Sequence, residues 1–217
     1  MAKRSIEISA EQAVQGMRAA LRNGEALLDE ARLLSDAGHP ARAAALAILA
    51  HEELGKIPPF ANANQYAKAG KMGKWWKSFR SHVDKSASED LLTLCIIIDT
   101  VDPNLIEPTI VGETAKYLNH IKKLAIYTDF KNNSFVCPLD NDELAGLDEK
   151  LIAYVDTTLQ LHRAIVSALT PEFLAAFWED PVRQQEVDED VQAFHAAVVS
   201  RWAGNRFAPP RDPADAL

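Results

Sequence analysis

Apolar residues recur at a helical period along almost the whole chain. Val14, Met17, Leu21, Leu28, Ala31 and Leu34 fall three, four or seven residues apart, on one side of a helix. Ser9 stands before this run, with Ile8 in front of it and Gln12 three residues on, which spells a capping box with a hydrophobic staple. Gly38 stops the helix and Pro40 opens the next, which runs to Ile57, ahead of Pro58 and Pro59. The short connection predicts that helices one and two lie antiparallel. Asn23-Gly24 is a potential interruption of the first helix, but no alternating pattern flanks it, so it does not read as a hairpin.

The stretch ANANQYAKAGKMGK is ambiguous, because two glycines interrupt good helix formers. One helix is expected over WWKSFRSHVDK, and another, capped by Ser88, opens with EDLLTLCIIIDT. After a loop holding Pro103 and Pro108, helix potential resumes from Glu113 to Tyr127, and DFKNNSFVCPLDND reads as a loop. A long helix covers about 143–169, a short one opens at Pro171, and a last one covers about 182–203. Val187, Val191, Phe194, Val198 and Trp202 give that last helix a stripe to bury. The expectation is an all-α bundle with an antiparallel N-terminal hairpin and additional C-terminal helices. It forms one domain over residues 1–205, and a flexible tail follows over 206–217.

Composition narrows the function classes. The 217 residues carry a formal net charge of −8, which argues against a generally basic nucleic-acid coat but leaves room for a local basic groove. Cys95 and Cys137 fit no metal or redox spacing and read as free thiols of a cytoplasmic protein. Neither AAALAILA nor LLTLCIII is long enough to span a membrane. The chain holds no H-E-x-x-H, phosphate loop, dinucleotide fingerprint or G-x-S-x-G elbow, so neither a metal nor a cofactor is expected.

The candidate chemistry begins at HEELGK, residues 51–56. On a helical wheel Ala43, Leu46, Leu49, Ala50 and Ile57 form an apolar face, and Glu53 falls inside it while His51 points elsewhere. A carboxylate facing a core needs a partner. Three readings stay open for Glu53: an ion pair with Lys56 or a base from another helix, a polar site between helices, or an edge position with access to water. Trp75, Phe79 and His82 share a face, with Lys85 three residues after His82 and Arg80 turned away. Tyr117, His120, Leu124 and Tyr127 line a further helix, bordered by Lys116 and Lys123. Glu53, Lys56 and His120 thus form a candidate polar cluster, and His82, Lys85 and Tyr127 are candidate catalytic groups. Lys77, Arg80, Lys116 and Lys123 are candidate contacts to nucleic acid or a partner. Trp75 and Trp76, beside Lys74, Lys77 and Arg80, either stack on nucleic acid or anchor the core under snorkelling bases.

Three segments, AILAHEELGKIPPF, SFRSHVDK and KKLAIYTDF, in this order and spacing resemble the AbiV family of abortive-infection (phage-resistance) proteins, within the HEPN-like helical domains. The resemblance covers about residues 12–131 and places Phe79, His82, Lys85, Tyr127, Asp129 and Phe130 at family positions. It implies a small helical cytoplasmic protein of bacterial defence. It also implies kinship with metal-independent ribonucleases that dimerise and carry an arginine five to seven residues before a histidine. Here Arg80 stands two residues before His82, and Lys77 five. Two actions follow: recognition of a phage-encoded or translation-related protein, or cleavage of RNA in a groove lined by His82, Lys85, His120 and Tyr127. The acidic net charge and the Arg-His spacing favour the first. A third alternative is a polar cluster that only holds the bundle together.

Overall fold

The computed structural model describes residues 7–87, 108–131 and 133–179. Helix α1 covers Ala10–Asp36 and α2 covers Pro40–Leu54. Three short helices follow, α3 (Ile57–Ala61), α4 (Ala63–Lys68) and α5 (Met72–Arg80), and then a helical segment over residues 82–87, α6. After them come α7 (Pro108–Ile126), a hairpin of β1 (Asp129–Lys131) and β2 (Ser134–Val136), α8 (Leu147–Ser167) and α9 (Pro171–Glu179). Among the described residues the fold is all-α apart from that hairpin. None of the described helices is long and apolar enough to cross a membrane.

The ends of α1 form as the sequence dictates. Gln12 N–H donates to Ser9 Oγ at 3.2 Å, and Ser9 N–H donates to Gln12 Oε1 at 3.0 Å. Gly38 takes φ 76°, the left-handed conformation that lets the chain reverse and bring Pro40 to the first position of α2. Gly24 does not break α1; it meets the Leu54 side chain, and Gly16 meets the Phe60 ring. Position 24 therefore faces 54 while Asp36 leads through three residues to Pro40, so the first two helices are antiparallel.

Helix α2 is the centre of the bundle. Ala41, Ala43, Ala44, Ala45, Ala47, Ile48, Ala50 and Leu54 are all buried against α1, α7 and α8, and only the stripe of Arg42, Leu46, Leu49 and Glu53 is left exposed or half-exposed. Alanine at so many positions lets three neighbours approach at once. Its first half packs against Leu118, Ile121 and Leu124 of α7 and Leu151 of α8. Its end packs against Val14, Met17 and Leu21 of α1, Trp75 of α5 and Trp178 of α9.

Several expectations are corrected. Helix two ends at Leu54, and Pro58 and Pro59 lie inside α3. The helix expected over WWKSFRSHVDK is two, because Ser81 is extended (ψ 127°) and its Oγ accepts from Asp84 N–H at 3.2 Å, a cap for α6. Helix α7 begins at Pro108 rather than Glu113. The stretch read as a loop contains the hairpin, in register Phe130↔Phe135, with Asn133 at φ 63°. Asparagine tolerates that left-handed conformation and so permits the tight turn. The helix of EDLLTLCIIIDT, the last helix with its stripe, and the tail all lie outside the described residues.

Candidate functional site

The buried carboxylate of HEELGK is Glu52, not Glu53. Glu52 is 2% exposed and His51 1%, whereas Glu53 is only half-buried and pairs with Lys56 one turn on. The wheel misplaced them because it took Leu46 and Leu49 for the inward face, whereas with Arg42 and Glu53 they form the half-exposed side of α2. Ala41, Ala44, Ala45 and Ile48 form a second stripe, and Glu52 continues it at i+4 from Ile48.

Two lysines and a histidine from two other helices converge on Glu52. Lys122 of α7 donates to Oε1. His82, the first residue of α6, places Nδ1 2.6 Å from Oε2, and Lys85 Nζ lies 3.9 Å from the same oxygen. Both lysines are buried, with side chains 9% and 8% exposed, while His82 is 56% exposed. Burial pulls the Lys85 ammonium below its usual value; Glu52 opposes that shift, and the neighbouring Lys56 adds to it. The carboxylate thus shares its single charge between two lysines in the bundle and holds Nδ1 of a half-exposed histidine.

Two features of HEELGK aim this geometry. The helix carries Glu52 inward, and Gly55 leaves room for α6. A Cβ at Gly55 would overlap the Lys85 carbonyl oxygen, so the absence of a side chain is what lets the α6 backbone lie against the end of α2. Lys56 sits 5.9 Å above the Phe79 ring and pairs with Glu53, forming a second, partly wet layer beside the buried one.

Of the residues singled out by sequence, His82 and Lys85 meet at Glu52, and Glu53 meets Lys56. Tyr127 and His120 do not join them. Helix α7 turns Ala115, Leu118, Ile121, Lys122, Leu124 and Ala125 inward, and Tyr117, His120 and Tyr127 stand on its exposed side, Tyr127 64% exposed. Lys116 pairs with Glu113 at 2.7 Å in solvent, and Lys123, Lys77 and Arg80 are exposed. Lys122 was missed. Its signal is a lysine at i+4 from Leu118 and three before Ala125, in the middle of the true apolar stripe. Because the Glu53–Lys56 pair is partly solvated, Glu53→Gln is expected to cost about 1 kcal/mol or less, read as the midpoint of urea denaturation.

The fold and its site define the class: an all-helical bundle of the HEPN-like kind, with a buried charge cluster opening on a surface histidine. The HEPN_AbiV family model, described as AbiV, matches residues 12–156, two thirds of the chain, and the protein belongs to that family, whose members act in abortive infection, a defence against phage. Comparison with curated proteins and with solved structures gave no match. The family match extends past residue 131 into the first half of α8, a helix that packs against α1 and α2.

Proposed function

We propose that this defence protein is a metal-independent endoribonuclease of the cytoplasm, with His82 as its proton-transfer group. The observation that carries the reading is an exposed histidine fixed through Nδ1 by a buried carboxylate. Glu52 selects the tautomer in which Nδ1 bears the proton, so Nε2 is free to accept one. In the reaction an RNA 2′-hydroxyl attacks the adjacent phosphorus and the bond to the 5′ oxygen breaks. His82 Nε2 takes the 2′-hydroxyl proton, Glu52 stabilises the imidazolium, and the proton passes to the departing 5′ oxygen. The products are a 2′,3′-cyclic phosphate and a 5′-hydroxyl. Lys85 and Lys122 add positive potential behind the histidine, where charge grows on the phosphate. A second copy across a two-fold axis would supply the opposite wall of the groove, so activity is expected to follow dimer concentration.

The test is RNA cleavage by wild type and His82→Ala, with and without EDTA. His82→Ala is expected to lose about 100-fold or more in rate, at unchanged thermal stability, and EDTA to change nothing. Intact RNA with the wild-type protein, alone and with extract of infected cells, would overturn the reading.

A second reading, recognition of a phage-encoded or translation-related protein, rests on the hairpin. Phe130 and Phe135 pack against each other at a tilt of 58° with ring centroids 5.0 Å apart, yet are 58% and 79% exposed. Exposed paired aromatics are a feature of protein-binding surfaces. Phe130→Ser with Phe135→Ser would then abolish phage protection while leaving RNA cleavage intact; equal loss of both would argue against it.

A further inference from the structure

From Leu54 to Val83 the chain has thirty residues without an aspartate or glutamate, although 31 of its 217 residues are acidic. The same stretch holds Lys56, Lys68, Lys71, Lys74, Lys77 and Arg80. Two of these form ion pairs, Lys56 with Glu53 and Lys68 with Glu179 at 3.2 Å, and Arg80 Nε donates to the Trp76 carbonyl at 3.0 Å. No carboxylate of the described residues forms an ion pair with the other four.

Helix α5 arranges them. It buries Met72 and Trp75 and leaves Gly73, Lys74, Lys77 and Arg80 exposed on the opposite side. Lys77 and Arg80 lie in its last turn, where the helix dipole favours cations, but Lys71 caps its start and Lys74 follows, where the dipole disfavours them. Local helix stability therefore does not account for this stripe. It runs along α5 to Ser81, and the next residue is His82. Trp75 is not available for stacking: it is buried against Phe79 with its indole N–H on the Pro59 carbonyl at 2.8 Å, and the half-buried Trp76 meets both rings edge-on.

We propose that the outer face of α5 is the track for the RNA substrate, gripping phosphates through Lys71, Lys74, Lys77 and Arg80 without reading bases, and delivering the strand to His82. This rests on the ribonuclease reading and adds to it a binding mode: backbone recognition, tolerant of sequence and sensitive to salt.

The experiment measures anisotropy of labelled oligo(U) and oligo(A) over a salt series. It uses the His82→Ala protein, with and without Lys74→Gln, Lys77→Gln and Arg80→Gln together. Circular dichroism checks the fold of each. Both oligomers are expected to bind alike, and the triple replacement to weaken binding at least tenfold. The slope of log affinity against log salt should fall by about 2, at about 0.7 per lost cation for a single strand. Unchanged affinity and slope in the folded triple variant would overturn the track while leaving cleavage untouched. Normal salt-dependent binding by a wild-type protein that cleaves nothing would keep the track and remove the nuclease. Capture of an acidic protein through these residues, with no RNA binding, would overturn both.

Discussion

Glu52→Gln is expected to be the most damaging single-atom change in the bundle, costing about 3 kcal/mol or more. Glutamine keeps the shape and removes the charge that Lys122 and Lys85 share, leaving two buried ammonium groups facing each other. For a chain of this size that is a fall in melting temperature of roughly 6–12 °C, against a few degrees at most for Glu53→Gln. The loss should also depend on pH. Lys85 already has a folded-state value below its ordinary 10.5, by burial first, so the unfolded chain holds more protons between that value and 10.5. Stability linked to Lys85 therefore rises as pH climbs through that window. Removing Glu52, which opposes the shift, widens the window downward, so the deficit of the variant should shrink as pH is raised from 7 towards 10. Thermal denaturation followed at 222 nm at several pH values checks both statements; a deficit that is small, or that grows with pH, would contradict them.

Gly55→Ala is expected to cost about 1–3 kcal/mol and to remove RNA cleavage nearly as completely as His82→Ala. The added methyl would sit on the carbonyl group of Lys85, a backbone obstacle that cannot rotate aside. Relief requires α6 to move away from α2, and His82 moves with it, breaking the 2.6 Å contact to Glu52. Two other glycines calibrate the claim. At Gly24 an added Cβ meets the flexible end of Leu54 at 3.0 Å, so Gly24→Ala should be milder. At Gly73 it meets nothing within 4 Å, and Gly73→Ala should be neutral or stabilising. Cleavage assays and melting curves on the three variants decide the matter. Full activity in Gly55→Ala would show that α6 can stand further off and still work.

Local signals carried much of the fold. The Ser9–Gln12 box, the Gly38–Pro40 reversal and the periodic run of α1 depend on neighbours in sequence, and each forms as read. What failed were inferences that needed to know how many sides of a helix are covered. Helix α2 is covered by three others on all but the side of Arg42, Leu46, Leu49 and Glu53, and a wheel that took Leu46 and Leu49 as core put Glu53 inward. The break at Ser81 has no proline or glycine beside it, and α6 packs where Gly55 leaves space. The hairpin was missed because each strand is only three residues long, too short for alternation to show. At the site, His82 and Lys85 were legible as residue types on a shared face, but their carboxylate lies thirty positions back in sequence and its second lysine seventy positions beyond it. No periodicity reports a pairing across such separations.

That wide spacing sets an order of events during synthesis. Glu52 and His82 leave the ribosome well before Lys122, so a growing chain holds the carboxylate and the histidine without the α7 cation that shares Glu52, and without the helix that walls off that side of α2. The charge cluster closes only after α7 has emerged and docked. On the ribonuclease reading, the positive potential behind His82 is completed only at that point, and a chain interrupted before residue 122 would lack it.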